Sequence, residues 1–513
     1  MDEIPRSMKL FTTRQIAGID QYTIAHEPIV DIDLMERASQ RMYLSVLKDI
    51  PGKAELIFLA GPGNNGGDAL ALARMFAARG NNCSVYRLDT GKHLSGSPAV
   101  NWQRLKEQGK AILNIISSEI EFPELGKQSI VFDGLFGSGL ARPLTGLPAN
   151  LVKHVNHSGC RVYAIDIPSG LMGEDNTGNN PECVVRATRT LTLQFPKISL
   201  LFPENEDFTG DIEVVDIGLH PRAIEETPTP YAIVSGTDMA GILPQRKRFS
   251  HKGNFGHALL IAGGHGKNGA AILSAGGCLR SGTGLVTAHV TSECYPVMQT
   301  TLPEVMCSVD TSGSCFSTLP PLDPYSAVGI GPGLGSNPET KLAFRELLER
   351  IRVPMVVDAD ALNILSEDSA LLEALPENTI LTPHPGEFRR LFGDSENSWK
   401  RLQLQREMAQ QYHVIILLKG AWSATALPSG EVFFNPTGNP GMATGGSGDV
   451  LTGVITGLLA QGVRPDLAAI AGAYLHGLAA DIAVSRSSIP SMIASDITRH
   501  MGEAFRQIYN DGQ

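Results

Sequence analysis

Short apolar runs alternate with longer amphipathic segments along most of the chain. The apolar run at 55–60 is followed by a helix-like segment at 68–80 and by a second apolar run at 83–88. Further runs of strand length lie at 129–133, 160–166 and 188–195. This alternation is typical of a parallel sheet with crossover helices. The N-terminal half is therefore predicted to be an α/β domain.

A second series of the same kind follows a boundary that is rich in proline and charge. The run at 211–218 closes the first region, and the segment at 220–230 is predicted to separate two domains. Later strand candidates lie at 257–262, 326–330, 354–358, 379–382 and 414–419, and a helix is predicted over 450–459. Both halves carry glycine-rich loops in different order and surroundings, which argues against an internal duplication.

Composition favours a multidomain enzyme that binds small molecules. The 513 residues with 42% hydrophobic content suffice for two or more cores. The 54 glycines exceed the usual share of about 7%, and they cluster where apolar runs end, as in loops that bind ligands on the backbone. A net charge of -11 and a pI of about 5.7 argue against a nucleic-acid partner.

Cysteine usage and the apolar runs indicate a cytoplasmic protein. The seven cysteines form no CxxC pair, so neither a disulfide framework nor a thiolate metal site is predicted. The N-terminus lacks an apolar signal core, and no stretch is expected to supply the roughly 20 apolar residues of a membrane span. No membrane partner is expected.

The segment GGSGD at 445–449 carries the clearest chemistry. Its glycines can turn consecutive N–H groups toward one point, and the following helix adds its positive dipole end, so the segment can hold an anion. A carboxylate there, Asp449, can take the proton from a hydroxyl that attacks a terminal phosphate. The alternative is an ordinary glycine-rich loop with an aspartate cap.

A second glycine-rich loop, GPGNNGGD at 61–68, lies between a predicted strand and helix and lacks the spacing GxGxxG. Asp133, Asp166 and Ser169 end neighbouring predicted strands. Their oxygens, with those of the two asparagines, suit a hard cation or orient a polar ligand, and they do not identify the ion.

Two further features belong to this half. The loop at 137–143 can bring N–H groups and Arg142 to a diphosphate, and Lys197 can supply or withdraw a proton. Asp166 and Lys197 are both predicted to be catalytic residues. The alternatives are a solvated lysine at a strand end and an acid that caps a loop.

The N-terminal half resembles the NAD(P)H-hydrate epimerase family, the YjeF N-terminal domain, over about residues 9–222. The matching motifs are LMERA at 34–38, GPGNNGGD at 61–68, FDGLFGSGL at 132–140 and DIPSG at 166–170. The resemblance implies a Rossmann-like three-layer sandwich that interconverts the R and S hydrates of NADH and NADPH with potassium bound.

The resemblance also implies the site residues of this half. The hydrate would be contacted by Asn64, Asn65, Gly66, Gly67, Asp68, Gly137, Ser138, Gly139, Leu140, Ala141, Arg142, Pro143 and Asp166. Potassium would lie at Asn65, Asp133 and Ser169. Two positions depart from the family pattern, Ala69 in place of glycine and Ser39 in place of glycine or alanine. Ala69 falls just inside the predicted helix, where its methyl can crowd the ligand without abolishing the fold.

The C-terminal half resembles the NAD(P)H-hydrate dehydratase family of the ribokinase-like superfamily over about residues 231–508. The motifs are HKGNFG at 251–256, GGHGKNGAA at 263–271, GPGLG at 331–335, DADALN at 358–363, TPHPGE at 382–387, LKG at 418–420 and the loop at 439–453. The resemblance implies a ribokinase-like α/β domain in which ADP or ATP, with magnesium, drives removal of water from the S hydrate.

In this half the resemblance makes Asp449 the base that activates the substrate hydroxyl. The nucleotide would be bound by Lys419, Gly420, Ala421, Trp422, Ser423, Gly446, Ser447 and Gly448. The hydrate would be held by Asp449, Ala270, Ala271, Gly333, Gly335 and His384, unless His384 is an ordinary loop histidine. Glu387 and Asp358 are weaker candidates for organising magnesium.

The leading hypothesis is thus a bifunctional repair enzyme for the hydrates NADHX and NADPHX, expected to form a homo-oligomer and to favour ADP. Because the dehydratase accepts one epimer, an epimerase in the same chain rescues the other. The alternatives are a ribokinase-like kinase that retains its phosphorylated product and a protein whose N-terminal half only binds a ligand.

Overall fold

The structure is a computed structural model that describes residues 8–27, 29–52, 54–91 and 93–511. The chain forms two compact units. The first contains Lys9–Thr229 together with Glu396–Lys400, and the second contains Pro230–Ser395, the chain from Arg401 onward and Met8. The functional limits 9–222 and 231–508 stay predictions.

The first unit follows the predicted alternation of strands and helices. Its strands, with the short β1, are β1 (Met8–Leu10), β2 (Glu55–Ala60), β3 (Asn82–Leu88), β4 (Ile112–Ile116), β5 (Ile130–Gly134), β6 (Arg161–Ile165), β7 (Arg189–Leu193) and β8 (Asp211–Val215). Its helices are α1 (Thr13–His26), α2 (Asp31–Val46), α3 (Asn64–Arg79), α4 (Gly96–Gln108), α5 (Gly146–Ser158), α6 (Glu206–Thr209) and α7 (Pro221–Glu226).

Strands β2 to β8 form one parallel sheet in the order β4-β3-β2-β5-β6-β7-β8. Successive residues of β2 enter different cores: Phe58 packs in one apolar cluster, and Ile57 and Leu59 pack in another. Apolar layers therefore cover both faces, which confirms the Rossmann-like three-layer sandwich. The strand order reverses between β2 and β5, where ligands bind in such sheets.

Helix α3 begins at Asn64 rather than at the predicted Asp68 because its glycines are needed for close packing. A Cβ on Gly66 would lie 2.0 Å from the Gly61 carbonyl oxygen, and one on Gly67 would lie 2.6 Å from the Met35 sulfur. The first helical turn therefore passes against these atoms, and the glycines that suggest a loop lie inside the helix.

The second unit is also α/β. Its strands are β9 (Tyr231–Ile233), β10 (His257–Ile261), β11 (Leu285–Val290), β12 (Met306–Val309), β13 (Ala327–Ile330), β14 (Met355–Val357), β15 (Ile380–Leu381), β16 (Ile415–Leu418), β17 (Ala424–Ala426) and β18 (Val432–Phe434). Its helices are α8 (Gly236–Ile242), α9 (Asn268–Arg280), α10 (Cys294–Thr301), α11 (Pro338–Arg350), α12 (Ala359–Glu367), α13 (Ser369–Glu373), α14 (Pro385–Phe392), α15 (Ser398–Gln411), α16 (Ser447–Ala460), α17 (Pro465–Ser485) and α18 (Ala494–Asp511).

The strands that lie wholly in this unit form one sheet in the order β9-β18-β17-β16-β15-β14-β13-β10-β11-β12. Seven neighbouring strands, in the sheet order β16-β15-β14-β13-β10-β11-β12, pair in parallel. Strand β17 pairs antiparallel with both β16 and β18. The ribokinase-like α/β class expected for this half is confirmed. The carboxyl ends of the parallel strands bring the predicted loops to one edge of the sheet.

The expectation that no stretch of the sequence is long and apolar enough for a membrane span is wrong. Helix α17 is 21 residues long with a mean hydropathy of 1.6, so by length and composition it passes the test for a membrane span. Within this unit 72% of its apolar window is buried, and it packs against α16 and α18. A helix enclosed on all sides is apolar all round, which explains its composition.

Candidate active sites

The first unit contains a cavity of about 710 Å³ at the carboxyl ends of its strands. The predicted residues that line it are Asn64, Asn65, Asp68, Gly137, Ser138, Gly139, Leu140, Ala141, Arg142, Asp166 and Lys197. Gly66, Gly67 and Pro143 are not part of this lining. Gly66 and Gly67 instead let α3 approach its neighbours.

Asp166 and Lys197 form a buried ion pair at this cavity. The Lys197 ammonium contacts Asp166 Oδ1, and the Lys197 side chain is 1% exposed. Asp166 has a left-handed backbone with φ of 67°, which is strained for a residue with a Cβ and is found where function requires it. Burial by itself would raise the pKa of Asp166, but Lys197 and the N–H of Ser138 hold that pKa below its usual value.

The Lys197 ammonium also donates to Thr192 Oγ1 at 3.3 Å and to the Leu193 carbonyl at 3.2 Å. The Lys197 ammonium is therefore bound by protein groups rather than by bulk water. A solvated lysine at a strand end, the alternative weighed from sequence, does not fit this burial. A buried charged pair that faces a cavity is suited to proton transfer.

Two further carboxyl groups line the cavity. Burial raises the pKa of Asp68 well above its ordinary value, and the Asp166 charge adds to this. Asp20 on α1 was not found from the sequence; burial raises its pKa to about 6. Asp20 lies one helical turn after the buried Ile16, so it stands on the apolar face of α1. An acid on an apolar helix face is the sequence signal that could have identified it.

The two departures from the family pattern have clear positions. The Ser39 hydroxyl donates to Asp68 Oδ1 at 3.3 Å and so supports a cavity carboxyl. Ala69 is fully buried, is not part of the cavity lining, and its methyl lies 2.6 Å from where a Cβ on Gly134 would stand. The expected crowding of the ligand by Ala69 is therefore wrong, since the methyl faces β5.

Asp133 and Ser169 contact each other, while the Asn65 side chain lines the cavity and lies 3.2 Å from where a Cβ on Gly137 would stand. Asp133 is fully buried, and its carboxylate accepts the Ser169 N–H at 2.8 Å and the Ser169 hydroxyl at 2.6 Å. Burial raises the pKa of Asp133 to about 6. Both polar atoms of the Asn65 side chain are buried and have no hydrogen-bond partner within the described ranges, and buried atoms of this kind are satisfied by an ordered water or an ion.

In the second unit, Asp449 lies in the first turn of a helix. Helix α16 begins at Ser447 rather than at the predicted 450, after Gly446 with φ of 96°. Among the residues that the structure describes, the N–H groups of Ser447 and Gly448 have no acceptor, as is usual for a first turn. Burial, and then the Asp358 charge, raise the pKa of Asp449 to about 6, so at neutral pH it is an ionised and strengthened base.

A lysine and two acids complete this region. The Lys419 ammonium lies 2.9 Å from Asp358 Oδ1 and 3.9 Å from Glu387 Oε2. Burial would lower the pKa of Lys419, but these acids raise it above its ordinary value. A Cβ on Gly448 would lie 3.3 Å from the Lys419 ammonium, so this positive charge stands beside the glycine-rich turn.

The predicted hydrate residues are only partly brought together. A Cβ on Gly333 would lie 2.9 Å from the Ala270 Cβ, whereas Ala271 is buried and faces Gly263. His384 caps α14, where its ring nitrogen accepts the N–H of Gly386 at 3.0 Å. Ala270 is therefore a better candidate than Ala271.

The rest of the predicted set lies at turns of the second unit. Gly335 N donates to Asp360 Oδ2 at 2.8 Å, which fixes the loop after β13. Gly420 and Ser423 close a turn after β16 through the Ser423 hydroxyl, with Ala421 exposed and Trp422 partly exposed between them. These groups are accessible to a ligand.

One buried residue beside the glycine-rich turn was missed. His476 of α17 is 4% exposed, and its Nε2 lies 2.9 Å from the Ser447 carbonyl oxygen. A lone imidazole in an apolar helix is the signal in the sequence, but the segment gives no indication of its partner.

Two α/β units, one with an acid–base cavity and the other with an anion-binding turn and a base, define a two-site enzyme. The model described as NAD(P)H-hydrate dehydratase matches residues 258–502, and that of the YjeF-related protein N-terminus matches residues 31–199. The chain belongs to the family of bifunctional NAD(P)H-hydrate repair enzymes, so both resemblances seen in the sequence are confirmed.

Relatives in this family match almost the whole chain. The bifunctional NAD(P)H-hydrate repair enzyme of Moorella thermoacetica is 35% identical over 517 residues, which cover 98% of this chain and 97% of that protein. The enzyme of Escherichia coli is 34% identical, with 91% and 88% covered. An ADP/ATP-dependent NAD(P)H-hydrate dehydratase from Bacillus subtilis, co-crystallised with ATP and Mg2+, is 31% identical over 54% of this chain and 98% of its own, with a TM-score of 0.48.

Proposed function

We propose that the chain repairs NADHX and NADPHX with two sites. The first unit epimerises the R and S hydrates, and the second removes water from the S hydrate at the expense of ADP or ATP. The observation that carries the proposal is the position of Asp449, a strengthened base in the same helical turn as unpaired N–H groups. Base and anion cradle together suit the attack of a hydroxyl on a phosphate.

In the dehydratase site, Asp449 takes the proton of the substrate hydroxyl as the hydroxyl oxygen bonds to the terminal phosphorus and the nucleotide leaves. The N–H groups of Ser447 and Gly448 and the Lys419 charge stabilise the negative charge that develops. The carbon–oxygen bond then breaks, its electron pair leaves with the phosphate, and the neighbouring ring carbon gives a proton to the released phosphate. This restores the dihydronicotinamide with atoms and charge balanced.

Magnesium is proposed to arrive with the nucleotide. In the described part of the chain no group of three or more His, Cys, Asp or Glu residues is placed to hold a metal. Asp358 is engaged by Lys419 and by the Thr452 hydroxyl at 2.6 Å, and Glu387 accepts the His384 N–H at 2.9 Å. Phosphate oxygens and water are therefore the expected main ligands of the ion, with Glu387 at most an outer contact.

In the epimerase site, Asp166 and Lys197 are proposed to move the protons that accompany loss and return of the hydroxyl at the hydrated carbon. Asp68 is the proposed acid, because burial raises its pKa well above the ordinary value, whereas Asp20, with a pKa of about 6, is mostly ionised at neutral pH. A potassium ion at Asn65, Asp133 and Ser169 would supply a positive charge beside the ligand. The unpartnered Asn65 oxygen fits such an ion, and one formal negative charge suits a monovalent cation better than a divalent one.

The chain is further proposed to act in the cytoplasm as a homo-oligomer, without nucleic-acid or membrane partners. Its net charge of -11 supports the absence of a polyanionic partner. Sedimentation of the purified chain at several concentrations tests the oligomeric state, and a monomer at all of them would contradict it.

The deciding experiment supplies mixed NADH hydrates with ADP, with ATP or with neither, and follows the absorbance of restored dihydronicotinamide. Complete conversion with a nucleotide and release of free phosphate is the expected result. Conversion that stops when the S form is consumed would show that the chain has dehydratase activity but no epimerase activity. A stable phosphorylated product would instead indicate a kinase. The Asp449→Asn chain, in which only the second site is changed, is the matched control.

A further inference from the structure

Helix α17 holds the start of the glycine-rich loop at 437–446 that leads into α16. The Thr437 hydroxyl donates to the Tyr474 carbonyl at 2.9 Å, and the Gly438 N–H donates to Asp481 Oδ2 at 2.9 Å. A Cβ on Gly477 would lie 2.4 Å from the Thr437 hydroxyl oxygen. Tyr474, Gly477 and Asp481 are one and two helical turns apart, so one face of α17 binds the loop.

His476 holds the other end of the same loop from the adjacent face of α17. Its Nε2 lies 2.9 Å from the Ser447 carbonyl oxygen. Since a carbonyl only accepts, Nε2 carries the hydrogen of this bond. Burial lowers the pKa of His476 to about 4, so the ring is neutral and keeps this one tautomer throughout the physiological pH range.

The bond to Ser447 has a consequence for Gly448. The peptide between these residues is planar and trans, so its N–H points opposite to its carbonyl. With the carbonyl held by His476, the Gly448 N–H is directed out of the first turn of α16. This peptide lies in the first turn of α16, next to Gly446 and Gly448, which have no Cβ. Helix ends fray most easily, so the His476 bond restrains the turn at its weakest place.

We infer that His476 is a positioning residue of the dehydratase site, which keeps the Gly448 N–H aimed at the phosphoryl group in transfer, and that Asp481 fixes the start of the same loop. The inference rests on the proposed function. The Ser447 hydroxyl is buried and lacks a hydrogen-bond partner among the described residues, which supports a turn that completes its polar contacts with a ligand.

The competing explanation is that His476 only joins two buried helices. Loss of the bond would then lower stability and leave the rate of the folded enzyme unchanged. Two variants of the full chain separate these explanations. His476→Leu removes the donor, while His476→Gln keeps an N–H at similar reach.

The test measures kcat and KM for dehydration of pure S hydrate with saturating ATP. We expect His476→Leu to lower kcat about 10- to 100-fold, less than the roughly 100- to 1,000-fold cost of losing an anion-hole donor itself. The KM for the hydrate should stay within about threefold, as for an interaction that matters in the transition state. His476→Gln should recover most of the rate.

Leu475→Val, a change at a neighbouring buried position of α17, is the packing control and should leave kcat near wild type. Epimerisation by the same samples reports on the folded state of the first unit. Equal kcat for wild type and His476→Leu would overturn the inference alone, as would a Gln variant that is folded and as slow as the Leu variant. A wild-type chain without nucleotide-driven dehydration would overturn the proposed function and this inference together.

Discussion

Asp449 has the two properties of a general base, an ionised carboxylate at neutral pH and a raised pKa. Asp449→Asn keeps the shape of the side chain but cannot accept the hydroxyl proton. Dehydration of the S hydrate should fall by about 100- to 10,000-fold, while ATP binding measured by calorimetry should change little. Near-normal turnover by this variant would show that Asp449 has another role.

The same residue sets an expected pH dependence. Burial raises the pKa of Asp449 to about 6, so the base form is present above that pH and is lost as the pH falls through it. The rate of dehydration should therefore decrease below about pH 6 and level off above it. The residual rate of Asp449→Asn should not follow this titration, and an identical profile in both chains would contradict the assignment.

The ion pair of Asp166 and Lys197 is buried, and we propose that it is catalytic as well as structural, two roles that paired variants can separate. Asp166→Ala leaves a buried ammonium unpaired, so it should destabilise the first unit by about 3–5 kcal/mol and abolish epimerisation. The double variant Asp166→Asn with Lys197→Met should regain stability without activity. Both variants should still dehydrate pure S hydrate. Thermal unfolding measures their stability, and separate assays measure epimerisation and dehydration. Epimerisation by the double variant would exclude catalysis by this pair.

The orphaned Asn65 side chain gives a prediction about the ion. Potassium should support epimerisation better than sodium, because the smaller sodium ion would lie too far from the oxygens of Asn65, Asp133 and Ser169. R-to-S conversion is measured in potassium, in sodium and in a bulky organic cation at fixed ionic strength. Equal rates in all three would remove the potassium assignment, and Asn65→Ala should show no ion preference.

Between elements, α9 and α16 approach so closely that glycine is required. A Cβ on Gly453 would lie 1.9 Å from the Ser274 carbonyl oxygen, and one on Gly277 would lie 2.4 Å from the Val450 carbonyl oxygen. These are backbone atoms that cannot turn aside. The crossing therefore sets the distance between Ala270 on α9 and Asp449 on α16.

Gly453→Ala should force the two helices apart, lower stability by about 1–3 kcal/mol and slow dehydration, while epimerisation is unchanged. Gly502→Ala in α18 is the matched control, since a Cβ there meets nothing within 4 Å. It should be neutral or stabilising by up to about 1 kcal/mol. Thermal unfolding compares the Gly453→Ala and Gly502→Ala variants. Equal unfolding midpoints would show that α9 and α16 can move apart at little cost in stability.

For the whole molecule, each unit has a sheet and apolar clusters of its own. The fragment 1–228 should therefore fold alone and interconvert the R and S hydrates without nucleotide. Circular dichroism, thermal unfolding and the epimerase assay test it. A fragment that aggregates, or a folded one that epimerises only in the presence of the second unit, would show that the first site is incomplete by itself.

The sequence alone determined the α/β alternation, most strand positions and the family, because apolar periodicity and ordered motifs are local properties of the chain. Several strands were not anticipated, among them β11 and β12. The predicted run at 379–382 is a strand, but β15 keeps only two of its residues, since pairing and burial extend or shorten a run. Predicted helix starts shifted toward the N-terminus at α3 and α16 because glycines that suggest loops serve close packing.

Only the tertiary structure decided which polar groups meet. Lys197 is buried against Asp166 although its sequence context is that of an exposed strand end, and Ala69 faces β5 rather than the ligand. Asp20 and His476 reach the two sites from helices far away in sequence. Such pairings, and the burial that sets each pKa, arise from long-range packing, which no local pattern of residues specifies.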